Sequence, residues 1–258
     1  MGDETLTDRQ AEIKAQFLDE IGYWTDGYQA ALRTDPEFFD RFRALAGASY
    51  ERGTLHPRIR ELLLLAVNIA VSHLSTEGIR THMENALDHG ATYDEVRQVI
   101  TLASGQGFHA ATVGFPVLLD VADIDASGEL TGDALAAKEH FEAERGWFSP
   151  FLEDLARIDP AFLDAYTDLS AHSRQVGPLD PKTIEYVAIA EDAAATHMYV
   201  DGLEAHIENA LALGCPVEEI AEVLELVSVI GLQSFGTSAT ILEELAAERG
   251  LDTHPDRS

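Results

Sequence analysis

Cysteine is nearly absent from the sequence: Cys215 is the single cysteine among 258 residues. One cysteine excludes an intramolecular disulfide and any C-x-x-C redox pair within the chain, which is typical of proteins from reducing compartments. The first residues lack a basic segment followed by an apolar core, and no apolar run approaches the roughly 20 residues that cross a bilayer. We therefore expect a cytoplasmic protein that is neither exported nor inserted into a membrane.

Basic residues are also scarce. The chain has 17 lysines and arginines against 46 aspartates and glutamates, a formal charge of −29. Such an acidic surface repels nucleic-acid phosphates and anionic lipid headgroups, so we expect neither as a partner. The same charge destabilises a compact state at low ionic strength, whereas molar salt shortens the screening length to about 3 Å. We therefore predict a halophilic protein whose stability rises with KCl concentration.

The chain consists of two copies of one unit. The stretch THMENALDHGA at residues 81–91 returns as AHIENALALGC at residues 205–215, and an offset of 124 positions aligns nearly the whole chain. A repeat of this length indicates two similar structural units. We predict a first repeat at residues 1–126, a second at 127–250 and a polar tail at 251–258. The short polar connection DIDASGEL predicts that the repeats pack together as a pseudo-dimer.

Both repeats have the pattern of helices, and neither has the alternation of polar and apolar residues that is typical of strands. Pro57 and Pro181 stand where a first helical turn accepts proline, and we expect these helices to run to about His73 and His197. Thr92–Glu95 has the form of a capping box that begins a later helix. The predicted fold class is all-α.

The first candidates for chemistry are two histidines on helical faces that must be buried. His82 lies three residues after an isoleucine and His206 three residues after a leucine, so each imidazole faces apolar neighbours. Glu61 and Glu185 begin the preceding apolar helices, where either carboxylate could pair with a buried histidine. A structural histidine satisfied by hydrogen bonds and a general acid or base in a pocket remain equal alternatives.

A polar stripe follows each glutamate at helical spacing. Asn68 and Ser72 form it in the first repeat, and Asp192 and Thr196 form it in the second. We interpret Asn68 and Asp192 as a solvated face.

The sequence around His109 offers further polar groups. His109 is matched by Gln233 in the second repeat, and glycines at positions 105, 107 and 114 indicate close helix packing or a pocket wall. No strand precedes these glycines and no lysine follows them, so they do not form a phosphate-binding loop. Histidine spacing matches no known zinc motif, and we expect no metal and no cofactor; a histidine-bound metal stays an open alternative.

The residues RELLLLAV followed by HMENALDHGATYDEVRQVITLA resemble the carboxymuconolactone decarboxylase family, which includes alkylhydroperoxidase D. The resemblance covers both repeats. It implies a compact all-α bundle that assembles into trimers or hexamers, so a homo-oligomer is expected, with a trimer favoured.

The sequence departs from the family's peroxidases at their cysteine pair. Ser75 and Gly78 occupy those positions in the first repeat, and Tyr199 and Gly202 occupy them in the second. Thiol-based peroxide reduction requires a thiolate and a resolving cysteine, so this activity is excluded.

The decarboxylase branch of the family lacks the cysteine pair, and the resemblance implies metal-free release of carbon dioxide from a small carboxylated lactone. His82 would then be the proton donor, oriented by Glu61, with His206 and Glu185 as their counterparts. Candidate substrate-binding residues are Ser72, Arg80, His109, Thr196 and Gln233. Because Arg80 and His109 are not repeated, we expect the first repeat to be the active one. The alternative function is a non-catalytic oligomeric protein that binds a small molecule.

Overall fold

The computed structural model describes residues 6–251 and consists of α-helices and short 3₁₀ turns, without a β-strand in that part of the chain. The all-α prediction is confirmed. The chain divides into two compact units, one formed by Met1–His56 with Ala221–Ser258 and the other by Pro57–Ile220. Of the predicted tail at 251–258, residues 252–258 lie outside the described residues.

The first unit contains α1 (Asp8–Ile21), α2 (Asp26–Thr34), α3 (Pro36–Arg52) and α14 (Gly231–Arg249). Its core is aromatic, with Phe17 and Phe39 fully buried against Tyr28. Helices α2 and α14 cross closely at Gly27 and Gly236, because a Cβ added to Gly236 would lie 3.0 Å from the Gly27 carbonyl carbon.

The second unit begins with the central helices of the first repeat and ends with those of the second. It contains α4 (Pro57–Ile69), α5 (Thr76–Asp88), α6 (Tyr93–Ala103), α7 (His109–Val121), α8 (Gly132–Arg145), α9 (Glu153–Ile158), α10 (Pro160–Gln175), α11 (Pro181–Ala193) and α12 (Val200–Ala212). Helix α13 (Val217–Ser228) starts in this unit and ends in the first. Residues of α4 are buried on every side from Ile59 to Asn68, which explains its continuous apolar sequence.

The units do not coincide with the sequence repeats, because each repeat's amino-terminal helices pack against the last helix of the other repeat. In the first unit, α2 of the first repeat packs on α14 of the second. In the second unit, α9 of the second repeat packs on α7 of the first, and α4 contacts α11. The limits 1–126 and 127–250 therefore remain a prediction from the internal repeat.

The two repeats share an unusual turn before α5 and α12. Leu74 and Met198, at matching positions, have positive φ angles of 45° and 53°. Their chains then fold back so that the Ser75 amide donates to the Asn68 carbonyl at 3.1 Å and the Tyr199 amide donates to the Asp192 carbonyl at 2.9 Å. Equal backbone geometry at equal positions supports the repeat found in the sequence.

Three expectations about these helices are corrected. Helix α4 ends at Ile69 and α11 ends at Ala193, so His73 and His197 lie in the turns that follow rather than in a last helical turn. The stripe residues Asn68 and Asp192 are buried, with exposed fractions of 0% and 2%, and do not form a solvated face. Close packing does not explain the glycines at 105, 107 and 114, since an added Cβ would meet no atom within 4 Å at any of them.

Among the residues described, Val217–Arg249 is one helical stretch long and apolar enough to cross a membrane by length and composition alone, with 39% of its apolar window buried. The stretch is interrupted between Ser228 and Gly231, where α13 ends and α14 begins. Core helices pass the same test, so this is weak evidence, and the absence of a membrane partner remains a prediction.

Candidate active site

Each repeat pairs one histidine with a buried glutamate 21 residues earlier in the chain. In the first repeat, His82 Nδ1 on α5 lies 2.8 Å from Glu61 Oε2 on α4, and Asn85 Nδ2 donates to the same oxygen at 3.3 Å. The side chains of His82 and Glu61 are only 3% and 5% exposed. This pair is shielded from solvent, as expected if His82 is a structural histidine rather than a general acid or base.

The second repeat adds an arginine to the same pair. His206 Nδ1 on α12 lies 2.7 Å from Glu185 Oε2 on α11, and Arg174 of α10 donates from Nη2 to Glu185 Oε1. Because an ionised carboxylate only accepts hydrogen bonds, His206 Nδ1 carries the proton and Nε2 holds the lone pair. Among the described residues, Nε2 of His206 has no hydrogen-bond partner.

A cavity of about 70 Å³ lies beside this second pair. The volume suffices for several water molecules, each of which needs about 10–15 Å³ by this measure. Its lining includes the polar residues His109, Arg145, Arg174, Glu191, Asp192 and His206. His82 is not among the lining residues, so this cavity belongs to the histidine of the second repeat.

Two arginines make the cavity wall positive within a strongly acidic protein. Burial and repulsion by Arg145 lower the pKa of Arg174 to about 9 despite its bond to Glu185, so its guanidinium remains charged at neutral pH. Burial lowers the pKa of Arg145, whose guanidinium lies 5.6 Å from the ring centroids of Phe141 and Trp147. The Arg145 Nε–H is buried and has no hydrogen-bond partner among the described residues. The wall therefore offers an unsatisfied cationic donor.

The same arginines act on His206. Burial, followed by repulsion from Arg174 and Arg145, lowers the pKa of His206 from 6.5 to about 3. His206 is therefore neutral at physiological pH.

A second polar group lines the cavity where α7 meets α11. His109 Nδ1 lies 2.6 Å from His197 Nε2 and 3.6 Å from Asp192 Oδ1. Burial, together with repulsion by His197 and His206, lowers the pKa of His109 to about 3, and burial raises the pKa of Asp192 to about 8. Without a bound cation, these side chains are neutral near pH 7.

The structure brings together some of the sequence-predicted residues and separates others. Ser72 and Thr196 are exposed in the turns after α4 and α11. Arg80 is 77% exposed on α5 and pairs with Glu84 at 3.4 Å, away from the cavity lining. Gln233 lies on α14 in the first unit. His109 alone of these five lines the cavity.

Sequence reasoning missed the two arginines. Arg145 and Arg174 are matched by Ile21 and Tyr50 in the first repeat, so the comparison of repeats gives no reason to select them. A charged residue near the end of a helix is usually solvent-exposed, and only the packing of α8 and α10 brings these two to the cavity.

Similarity to known proteins identifies the family of the chain. A sequence profile of the Carboxymuconolactone decarboxylase family matches residues 36–120 and 160–237, one region in each repeat. The chain belongs to the carboxymuconolactone decarboxylase family. The predicted family and the tandem arrangement of two copies are thereby confirmed.

A crystal structure supports the same family at the level of the whole chain. It is that of a candidate gamma-carboxymuconolactone decarboxylase subunit from Burkholderia xenovorans LB400, with 33% sequence identity and a TM-score of 0.87. The match covers 93% of this chain and 98% of that one. No curated protein matches the chain significantly.

Proposed function

We propose that the protein is an enzyme that catalyses proton transfer on a small carboxylated substrate, with decarboxylation of an unsaturated carboxylated lactone as the favoured reaction. The observation that carries the proposal is that His206, held by Glu185, lines a cavity that Arg145 and Arg174 also line. The family and the name of the crystallised relative support the choice of decarboxylation.

Arg145 is the proposed anchor for the substrate carboxylate. Its buried Nε–H lacks a partner, and a buried donor left unsatisfied costs about 1–3 kcal/mol, so an anion that accepts from it is favoured. The rings of Phe141 and Trp147 restrict the guanidinium, which reduces the entropy lost when an anion binds. Arg174 adds a second positive charge on the same wall.

His206 is the proposed proton donor. A bound carboxylate offsets the charges of Arg174 and Arg145, which otherwise lower the pKa of His206, so substrate binding favours uptake of a proton from solvent at Nε2. When the bond to the carboxylate carbon breaks, carbon dioxide leaves and the electron pair remains on the substrate carbon. Nε2 then gives its proton to that carbon, while Glu185 holds Nδ1 and orients the ring.

This proposal places the active centre in the second repeat, whereas the sequence analysis favours His82 and Glu61 of the first. The difference arises because the cavity is lined by His206 together with His109 of the first repeat, and not by His82. Substitution of His206 and of His82 therefore compares the two assignments of the active histidine.

The test is turnover of a series of small carboxylated lactones, followed by carbon dioxide release, in wild type, His206→Asn and His82→Asn. We expect His206→Asn to reduce kcat by about 10²–10⁴-fold, the usual contribution of a general acid, and His82→Asn to retain activity. Loss of turnover in His82→Asn alone would return the site to the first repeat. Ligand binding without turnover in wild type would favour the alternative function as a binding protein.

We further propose that the chain forms a homo-oligomer, with a trimer favoured. The relative's name identifies that protein as a subunit. On α7 of this chain, Val113, Val117 and Val121 are 53%, 57% and 80% exposed, an apolar face suited to a second copy. Light scattering coupled to size exclusion in molar KCl measures the mass, and a monomer under those conditions would contradict the proposal.

A further inference from the structure

We propose that His109, Asp192 and His197 form a binding site for one divalent metal ion of the zinc type. The group lies within the second unit and joins the start of α7 to the end of α11 and its following turn. Its three ligand atoms all lie within 4.8 Å of one another. The site borders the same cavity as His206, but its test measures metal binding and does not depend on the proton-transfer reaction. The proposal differs from the sequence-based expectation that no metal is bound.

The three donor atoms have the composition of a zinc site, and one of their separations is close to that between zinc ligands. Two imidazoles and one carboxylate form a common zinc ligand set, with metal bonds of about 2.0–2.1 Å whose tetrahedral arrangement separates the ligand atoms by about 3.3 Å. His109 Nδ1 lies 3.6 Å from Asp192 Oδ1, close to that separation. His109 Nδ1 and His197 Nε2 are 2.6 Å apart, the distance of a hydrogen bond, and the rings must separate slightly when an ion replaces the shared proton.

Unsatisfied buried groups provide a second, independent observation. Asp192 is 2% exposed, and its Oδ2 has no hydrogen-bond partner within residues 6–251. The adjacent Glu191 is 6% exposed, and its Oε1 also lacks a partner. Neither carboxyl group forms an ion pair with a lysine or arginine in the described part of the chain. Buried polar groups are normally hydrogen-bonded or coordinate a metal, so a metal ion at this site would satisfy oxygen atoms that the described part of the chain leaves without a partner.

The surroundings hold the first ligand in place and leave room for another. The Tyr199 ring stacks on the His109 ring, with 4.1 Å between the ring centroids. His109 and Asp192 also line the cavity of about 70 Å³. Three protein ligands beside an open cavity correspond to a zinc ion with one position left for water or a small anion.

The repeats supply matched variants for the test. Asn68 of the first repeat stands at the position of Asp192, and Gln233 of the second repeat stands at the position of His109. Asp192→Asn and His109→Gln therefore introduce side chains that this fold already accommodates at equivalent positions. The control is His140→Asn on α8. His140 Nδ1 lies 2.5 Å from Asp164 Oδ1 in an exposed pair, and this pair represents adventitious binding by the acidic surface.

The experiment is competition with a chelator of known zinc affinity in molar KCl, with far-ultraviolet circular dichroism of every variant. We expect wild type to bind one zinc ion per chain, and Asp192→Asn and His109→Gln each to weaken binding by at least about 100-fold. We expect His140→Asn to bind like wild type. Wild-type affinity in folded His109→Gln would overturn the proposal, as would absence of a tight site in wild type or its loss in His140→Asn. Substitution of the bound ion by cobalt gives an independent readout. Absorption bands from sulfur coordination would identify Cys215 as a ligand and contradict the assigned ligands.

Discussion

The carboxylate of Glu185 is predicted to contribute far more to stability than that of its repeat counterpart Glu61. Glu185 bonds both His206 and Arg174, and its side chain is 3% exposed. Glu61 is equally buried, but it accepts hydrogen bonds from His82 and Asn85, and no arginine contacts it among the described residues. The pair Glu185→Gln and Glu61→Gln therefore compares loss of a carboxylate that is paired with an arginine with loss of a carboxylate that is bonded only to His82 and Asn85.

The expected magnitudes follow from these partners. Removing one member of a buried ion pair costs about 3–5 kcal/mol because the remaining charge is left uncompensated. In Glu61→Gln the amide oxygen still accepts a hydrogen bond, so the expected loss is about 1 kcal/mol. Each kcal/mol lowers Tm by about 2–4 °C in a chain of this size, which gives a decrease of roughly 6–20 °C for Glu185→Gln and roughly 2–4 °C for Glu61→Gln.

The assay is thermal unfolding by circular dichroism at fixed pH and molar KCl, with denaturant unfolding to give the free energy of unfolding. Adding Arg174→Met to Glu185→Gln should recover part of the loss, because the unpaired cation is removed with its partner. Equal decreases in Tm for Glu185→Gln and Glu61→Gln would contradict the prediction, since Arg174 would then contribute nothing to the stability that Glu185 provides.

Three further predictions concern stability. Because the pKa of His206 is lowered from 6.5 to about 3, the unfolded chain binds a proton that the native chain does not between these values, and native stability falls as pH decreases below 6.5. The advantage of wild type over His206→Asn should therefore decrease by up to about 1.4 kcal/mol per pH unit in this range, and a constant advantage would contradict the shift. Gly236→Ala should destabilise the α2–α14 crossing by about 1–3 kcal/mol because the added Cβ meets the Gly27 backbone. The control Gly114→Ala in α7 meets no described atom within 4 Å and should be neutral or stabilising by up to about 1 kcal/mol. Equal free energies of unfolding for the two variants would exclude the close approach of Gly236 to Gly27. Tm should rise as KCl increases from low to molar concentration, because a screening length of about 3 Å reduces repulsion among the 46 acidic side chains. A flat or falling Tm would contradict the predicted halophilic character.

The fold is predictable from the sequence where local chemistry determines the helices. Proline begins α4 and α11 as expected, and Thr92 with Glu95 forms the capping box of α6. Glutamate and histidine also pair as their helical faces predict, in both repeats. These features depend on residue spacing within one repeat. The helix-starting prolines and the glutamate–histidine pairs occur in both repeats, whereas the capping box occurs in the first.

Features that depend on packing between repeats could not be predicted. The exchange of α7 and α14 between repeats places His109 beside His206 rather than beside His82, although both lie in the first repeat. Arg145 and Arg174 have no charged counterpart in the first repeat, and Asp192 differs from Asn68 by a single side-chain group. The cavity therefore owes its charge to positions where the repeats differ, and comparison of repeats selects positions where they agree.

The most direct test of the proposed site is calorimetric titration with a small carboxylated lactone in buffers of different ionisation enthalpy. We predict one ligand per chain and fractional proton uptake on binding that disappears in His206→Asn. We also predict that affinity falls about tenfold or more in Arg145→Gln, since a hydrogen bond to a charged group contributes about 1.5–3 kcal/mol. Unchanged affinity in Arg145→Gln, or proton uptake that persists without His206, would place the carboxylate elsewhere and contradict the account.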